Sequence, residues 1–197
     1  MTLPLVLASS SPFRRMLMQN AGLEFQHRAA DIDERAVEAS LTATDPGEVA
    51  LALAEAKAKD VAVHFPGALV IGSDQTMSLG DRIYHKARDL AEARENLLSL
   101  AGKTHQLNSG VAISKDGEIV WRHVAVARMS VRPFSETFLD YYLERVGEKA
   151  LSSVGAYQLE GEGIQLFSAI EGDYFTVIGL PMLPLLEALR SLGAVNV

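Results

Sequence analysis

The chain has 197 residues, of which 48% are apolar and 22% are charged, with 18 Lys and Arg against 25 Asp and Glu. The length suits a single domain with a sizeable core, and the composition excludes a disordered chain. The net charge of -7 argues against a protein that binds nucleic-acid polymers, although a basic pocket for a nucleotide remains compatible with it. The absence of cysteine excludes disulfides and thiolate chemistry, and it agrees with the cytoplasmic location that we expect.

The N-terminal segment is apolar but differs from a secretion signal. No basic residue precedes residues 3–8, the apolar run is short, and Arg14 and Arg15 come after it. We therefore expect a buried first strand here. No apolar stretch is long enough to span a bilayer, so we expect no membrane partner.

The first half of the chain is predicted to alternate between strands and helices. Ser11 and Pro12 open the first helix, which ends at Gly22, and an acidic loop follows over residues 31–34. Asp45 and Pro46 open a long alanine-rich helix. The strands expected in this half are residues 23–28, 68–71, 76–79 and 82–84, the last two forming a hairpin.

The second half is predicted to contain two further pairs of strands. Helices are expected over residues 89–100, 135–146 and 181–192. Strands are expected over residues 105–114, 118–131, 164–167 and 174–178. Because adjacent hairpins interrupt the alternation of strands and helices, the predicted fold class is α/β with a mixed sheet.

The junction between the first strand and the first helix is a candidate anion site. A strand that enters a helix directly points free backbone N–H groups at one spot, where the helix dipole favours negative charge. Ser9 would add a hydroxyl donor, and Arg14 and Arg15 would add guanidinium groups suited to phosphate. An ordinary helix cap with two surface arginines explains the same residues, and both interpretations stay open.

A second candidate site follows the apolar strand of residues 68–71. Polar groups of open α/β sheets gather where strands end, so Asp74 is a candidate general base or metal ligand. Aspartate is also a common turn residue after a strand, which is the simpler explanation.

Charged residues elsewhere in the chain could complete a phosphate site. The carboxylates of Asp33 and Glu34 could hold magnesium, and Lys57 and Lys86 could neutralise a polyphosphate. Each charge taken alone is typical of a solvated surface. Only their assembly at one place would give them this function.

Four blocks in a fixed order resemble the Maf family of nucleoside triphosphate pyrophosphatases. They are residues 7–15 (LASSSPFRR), 72–75 (GSDQ), 155–161 (GAYQLEG) and 177–181 (VIGLP). The resemblance implies hydrolysis between the α and β phosphates, with release of a nucleoside monophosphate and pyrophosphate, as a house-cleaning activity. It further implies a divalent cation (Mg²⁺ or Mn²⁺), a homodimer, and one Maf-like domain over residues 1–197. The fold expected from it is ITPase-like, a twisted mixed sheet flanked by helices with two lobes around a central cleft.

The resemblance also assigns roles to individual residues. Asp74 matches the catalytic proton acceptor, and with Glu34 it is the expected metal ligand. The residues expected to bind phosphate or other parts of the substrate are Ser9, Arg14, Glu34, Lys57 and Lys86.

Three positions bear on which nucleotide is hydrolysed. The branch acting on dTTP and UTP usually has Arg, Thr and Gln where this chain has Phe13, Gln75 and Glu160. The combination here resembles the branch acting on 7-methyl-GTP, which typically has Trp, Gln and Glu. An aromatic ring and a carboxylate suit a positively charged methylated guanine. Because Phe is a weaker cation–π partner than Trp, a relaxed specificity is compatible with this set.

The sequence departs from the family pattern around the second lysine. His85 and Ala87 flank Lys86 where the family commonly has glycine and proline, so the stiffness of that loop differs. Ala52 also stands where the family usually has arginine before Lys57.

Two alternatives remain at this point. One is a pyrophosphatase for pyrimidine nucleotides or for a broad range of triphosphates. The other is a regulator of septum formation that binds a nucleotide without turnover. The retention of Asp74, Lys57 and Arg14 argues against the regulator, because a pure binding protein needs no base.

Overall fold

The computed structural model describes residues 3–42 and 45–195 of the chain. Within these ranges it is an α/β structure with a mixed sheet, as predicted, and the sheet has seven strands. The strands are β1 (Leu5–Ala8), β2 (Gln26–His27), β3 (Leu69–Leu79), β4 (Arg82–Tyr84), β5 (Thr104–Lys115), β6 (Glu118–Val131) and β7 (Phe167–Glu171). The helices are α1 (Pro12–Asn20), α2 (Glu34–Ser40), α3 (Pro46–Ala62), α4 (Leu90–Leu100), α5 (Glu136–Val146), α6 (Tyr174–Ile178) and α7 (Met182–Ser191), with 3₁₀ turns at Gly147–Ser152 and Glu162–Leu166.

The strands follow the order β2-β1-β3-β5-β6-β7, and β4 pairs with β3. β1 runs parallel to β2 and β3, whereas β3–β4 and β6–β7 are antiparallel. All four residues of β1 are buried, which agrees with its apolar sequence. Its register with β3 runs from Leu5 opposite Leu69 to Ala8 opposite Gly72, so β3 continues beyond the end of β1.

The chain forms two compact units. The first comprises Met1–Gln75, Asn108–Val126 and Asp173–Val197, and the second comprises Thr76–Leu107 and Ala127–Gly172. In the first unit a core joins apolar side chains of β1, β3, β5, α1 and α7, including Leu7, Met18, Ile71, Ile113 and Leu185. In the second unit α4 packs on α5. Its most buried side chains include Leu97, Leu100, Met129, Leu139 and Leu166.

The helix starts predicted from the sequence are confirmed by their caps. Asp45 Oδ1 accepts hydrogen bonds from the N–H groups of Gly47 and Glu48 at the start of α3. Asp89 and Ser135 cap α4 and α5 in the same way. These side chains satisfy donors that a helix leaves free in its first turn.

The prediction of a strand over residues 174–178 was wrong, since this segment is helix α6. Its aromatic and β-branched side chains favour a strand by propensity. Asp173, however, caps the segment by accepting from Thr176 N at 3.0 Å, and Gly179 ends it in the left-handed region with φ 99°. Local capping therefore overrides propensity here.

The expected division of residues 68–79 into two strands was also wrong. β3 runs through the polar residues 72–75, because its first part pairs with β1 and its last part pairs with β4. Asp74 therefore lies inside a strand and not in a loop after it.

Three smaller elements also differ from expectation. The second strand covers only Gln26–His27, and residues 162–166 form a 3₁₀ turn before β7 begins at Phe167. The expected acidic loop is interrupted at Glu34, where α2 begins with Asp33 as its cap. Within the described ranges, no helix combines the length and the apolar character that crossing a membrane requires.

Candidate active site

β1 ends at Ala8 and α1 begins at Pro12, so three serines join the strand to the helix, and the expected free N–H groups are largely used within the junction itself. Ser11 caps α1, and its Oγ accepts from Arg14 N at 3.4 Å. Ser9 Oγ accepts from Ser11 N at 3.1 Å and also lies 3.5 Å from Arg14 Nη1. Pro12 occupies the first helical position, where its missing N–H costs nothing. Ser9 and Arg14 are thus brought together at this junction.

Arg14 is tied to two backbone carbonyl groups of the first unit. Its Nε donates to Gly179 O at 2.8 Å, and its Nη1 donates to Ser73 O at 2.8 Å. Burial lowers the pKa of the guanidinium from its ordinary value, and the negative charges of Asp74 and Glu34 oppose this shift. Arginine nevertheless stays protonated, so the guanidinium keeps its positive charge. Its orientation is fixed by the two hydrogen bonds.

Asp74, Lys57 and Glu34 form a charged cluster in the same unit. Lys57 Nζ lies 2.5 Å from Asp74 Oδ1 and 2.6 Å from Glu34 Oε1. The side chains of Lys57 and Asp74 are only 12% and 13% exposed, whereas that of Glu34 is 53% exposed. One ammonium group therefore holds two carboxylates that come from different elements.

The elements that carry this cluster explain how distant residues meet. Asp74 lies just beyond the point where β1 stops pairing with β3, Lys57 projects from α3, and Glu34 is the first residue of α2. α3 can approach β3 closely because Gly72 has no side chain. A Cβ at that position would meet the backbone of Ala54 and Ala58.

Gln75, the residue after Asp74, is bonded to protein groups of the first unit. Its Nε2 donates to Ser109 Oγ at 2.9 Å, to Thr176 O at 3.0 Å and to Val177 O at 3.2 Å. An amide group has two N–H donors, so these three acceptors use its full donor capacity.

The remaining predicted site residues lie at separate places in the chain. Phe13 is partly buried on the first turn of α1. Lys86 follows β4, and Glu160 precedes the 3₁₀ turn at Glu162–Leu166. Both belong to the second unit, and both are exposed. Within the first unit, the structure thus brings Ser9, Arg14, Glu34, Lys57, Asp74 and Gln75 into linked contacts.

The loop that carries Glu160 is held firmly within the second unit. Tyr157 OH lies 2.6 Å from Nε2 of the fully buried His105, and Tyr142 OH donates to Ala156 O at 3.2 Å. Ala156 has φ 57°, a left-handed conformation that only specific surroundings hold in a residue other than glycine. The conformation of this loop is therefore fixed by packing and not by its own sequence preference.

The cluster offers few ligands for a metal ion. Among residues 3–42 and 45–195, no group of three or more His, Asp or Glu side chains could hold one. Asp74 and Glu34 do converge on one cation, the ammonium of Lys57. Two carboxylates suffice for Mg²⁺ where substrate phosphates and water supply the other ligands, so the donor set fits such an ion.

Three residues that form hydrogen bonds at the site were assigned no role from the sequence: Ser73, Ser109 and Gly179. Ser73 Oγ donates to Gly179 O at 2.9 Å. These residues belong to the family-like blocks 72–75 and 177–181, but neither was assigned a function from the sequence. Ser109 is fully buried on β5 and joins Gln75 to α6. No local pattern in the sequence distinguishes it from Ser114, the other serine of β5.

The chain is similar to known proteins over nearly its whole length. The family described as Maf-like protein matches residues 4–192. The chain is 66% identical over 194 residues to the 7-methyl-GTP pyrophosphatase of Rhizobium meliloti, covering 98% of each chain. It is 63% identical over 198 residues to the 7-methyl-GTP pyrophosphatase of Rhizobium johnstonii, covering 100% of each. It is 53% identical over 188 residues to the nucleoside triphosphate pyrophosphatase of Bradyrhizobium diazoefficiens, covering 95% of this chain and 93% of the relative. The chain therefore belongs to the Maf-like protein family.

Proposed function

We propose that this protein is a nucleoside triphosphate pyrophosphatase that cleaves 7-methyl-GTP between its α and β phosphates, releasing 7-methyl-GMP and pyrophosphate. The observation that carries the proposal is the cluster in which Lys57 joins Asp74 and Glu34, in the same unit as the Ser9–Arg14 junction. Relatives that match nearly the whole chain and are named 7-methyl-GTP pyrophosphatase support the choice of substrate.

The reaction needs an oriented water molecule and neutralised phosphate oxygens more than it needs covalent help from the protein. Water attacks phosphorus, the bond between that phosphorus and the bridging oxygen breaks, and the water loses a proton. We assign acceptance of that proton to Asp74. Its carboxylate is fixed on a central strand by Lys57, which supports a defined position for the base.

Arg14, Lys57 and Ser9 are the proposed phosphate-binding residues of the first unit. The Ser9 hydroxyl and the positive end of the α1 helix dipole suit phosphate oxygens. The guanidinium of Arg14 is anchored through Nε and Nη1, so Nη2 is the edge that we assign to phosphate. Its anchoring reduces the entropy that would otherwise be lost on binding.

The charge balance of the cluster supports the use of a divalent cation. The positive charges of Arg14 and Lys57 are matched by the negative charges of Asp74 and Glu34. These four residues therefore have no net positive charge with which to neutralise a triphosphate. We propose that Asp74 and Glu34 hold Mg²⁺ or Mn²⁺ together with the substrate. The ion, when bound, supplies positive charge to the phosphate oxygens.

Recognition of the base is assigned to Phe13 and Glu160. A methylated guanine carries positive charge, which favours an aromatic face and a carboxylate. Gln75 belongs to the same set by resemblance, but its amide nitrogen is engaged with α6 and β5, so only its oxygen remains for a substrate. Lys86 is proposed to add positive charge for the phosphates.

We infer a cytoplasmic location, which the absence of cysteine supports, and a homodimer, which only the family resemblance supports. A broader range of triphosphates is the second candidate function, since Phe13 is a weaker cation–π partner than tryptophan. The relative in Bradyrhizobium diazoefficiens carries the broader name.

The substrate is tested by measuring product formation from 7-methyl-GTP, GTP, dTTP and UTP with Mg²⁺ or Mn²⁺. We expect 7-methyl-GTP to have the largest kcat/KM, equal amounts of monophosphate and pyrophosphate, and complete loss of turnover with excess EDTA. Similar kcat/KM values for all four nucleotides would favour the broader enzyme. Release of inorganic phosphate in place of pyrophosphate would contradict the proposed bond cleavage.

A further inference from the structure

Gln75 is oriented by groups that can only accept hydrogen bonds. Thr176 O and Val177 O are backbone carbonyls within 3.2 Å of Gln75 Nε2. Exchanging the amide oxygen and nitrogen would place an oxygen against both of them, so the neighbours decide the orientation. The amide nitrogen of Gln75 therefore has no donor left for a nucleobase.

Ser109 completes this arrangement from β5. Its Oγ accepts from Gln75 Nε2 at 2.9 Å and donates to Thr176 O at 2.8 Å, and the residue is 0% exposed. A buried hydroxyl that both donates and accepts a hydrogen bond holds both of its partners in place, because a buried polar group without a hydrogen bond costs free energy. Ser109 thus connects the residue after Asp74 to the carbonyl groups of α6.

The end of α6 is also the anchor of Arg14. Gly179 N donates to Thr176 O at 3.1 Å, and Gly179 O accepts from Arg14 Nε at 2.8 Å. Gly179 has φ 99°, and a Cβ there would lie 3.5 Å from Arg14 Nη2. Thr176 O is therefore shared by Gln75, Ser109 and the residue whose carbonyl holds the guanidinium.

We propose that Ser109 and Gln75 are positioning residues that fix the end of α6, and through Gly179 the guanidinium of Arg14, for binding of the phosphate groups. Gln75 then affects how tightly the protein binds the phosphate groups of any nucleotide. This effect is additional to any contact between its amide oxygen and a base. The inference rests on the proposed function only in taking Arg14 to bind phosphate.

Pyrophosphate is the probe that separates this role from reading of the base, because it has phosphates and no base. The variants are Ser109→Ala and Gln75→Met, which remove the hydroxyl and the amide with little change in size. The matched control is Ser114→Ala. Ser114 lies on the same strand and is 0% exposed, and its Oγ has no hydrogen-bond partner among the described residues.

We expect both variants to weaken pyrophosphate binding by roughly tenfold in calorimetry with Mg²⁺, while the control binds like the parent. The kcat/KM values of the variants should fall by a similar factor for 7-methyl-GTP, GTP and dTTP. Because the two residues act through the same carbonyl, the double variant should lose less affinity than the product of the two single losses.

Pyrophosphate affinity that stays at the parent value in Ser109→Ala overturns the inference, as does a change in nucleotide ranking without a loss of pyrophosphate affinity. Gln75→Met is measured in its place if Ser109→Ala does not fold. A parent that binds pyrophosphate but releases none from any triphosphate contradicts the proposed function, and the titrations then still decide the positioning role. A parent that does not bind pyrophosphate overturns both.

Discussion

Replacement of Gly72 by alanine tests how closely α3 must approach β3. The new Cβ would overlap Ala54 O and would lie 2.7 Å from Ala58 N and 2.9 Å from Ala58 Cβ. Two of these atoms are backbone atoms of α3, so no side-chain rotation relieves the contact. The helix has to move outward by roughly 1 Å to restore ordinary van der Waals distances.

The cost follows from the rigidity of these atoms. Overpacking of a core typically destabilises by about 1–3 kcal/mol, and a backbone clash places Gly72→Ala near 3 kcal/mol. For a chain of this size, that corresponds to a fall in Tm of roughly 6–12 °C. Since Lys57 precedes Ala58 on α3, the same movement lengthens the 2.5 Å contact between Lys57 and Asp74 and should lower turnover as well.

Urea and thermal unfolding of Gly72→Ala measure this effect, with Gly161→Ala as the control. Gly161 has φ −122°, and a Cβ there would meet only Gln158 O at 3.8 Å. The control should therefore stay within about 0.5 kcal/mol of the parent. A melting temperature for Gly72→Ala within 2 °C of the control would refute the argument that α3 is held against β3 at this glycine.

Three further predictions concern single side chains. Lys57→Met keeps the length of the side chain but removes the cation shared by Asp74 and Glu34, so kcat for 7-methyl-GTP should fall by about 100-fold, and a kcat within threefold of the parent would contradict this role. Glu160→Gln should lower kcat/KM for 7-methyl-GTP more than for GTP, and an unchanged ratio in the same assay would remove Glu160 from base selection. Burial lowers the pKa of His105 from 6.5 to about 4, so the unfolded chain takes up this proton first as the pH falls. The free energy of unfolding should therefore fall as the pH is lowered from 6.5 to 4. In urea unfolding, this fall should be about 3 kcal/mol larger for the parent than for His105→Gln. Equal falls in the two proteins would contradict a lowered pKa of His105 in the folded state.

Helices and strands with strong local signals were predictable from the sequence. The aspartate and serine caps of α3, α4 and α5 are visible in the chain, and each forms the expected bond to a free N–H group. β5 and β6 are long enough for their apolar residues and the turn between them to define a hairpin. In such elements local preference and tertiary packing agree.

Two elements, α6 and β3, were not predictable from local sequence, because residues distant in the chain decide their conformation. α6 has five residues with strand propensity; its carbonyl groups accept hydrogen bonds from Gln75 and Ser109, and the carbonyl of Gly179, which ends it, accepts from Arg14. β3 continues through residues 72–75 because different partners pair with its two ends. Neither influence is local in sequence.

The candidate site was predictable only in part. The resemblance pointed to Asp74, Lys57 and Glu34, yet sequence spacing alone gave no reason for them to meet, since α2, α3 and β3 carry them separately. Ser109 carries no sequence signal at all, because a buried serine on an apolar strand acquires its role from residues that are distant in the chain.

The proposed role of Asp74 is to accept the proton of the attacking water during hydrolysis of 7-methyl-GTP to 7-methyl-GMP and pyrophosphate. It is tested most directly by pyrophosphate release from 7-methyl-GTP by the parent and by Asp74→Asn, measured side by side with Mg²⁺. We expect release by the parent and a loss of about 1,000-fold or more in the variant, with its melting curve still cooperative. Turnover by Asp74→Asn close to that of the parent would contradict the role of Asp74.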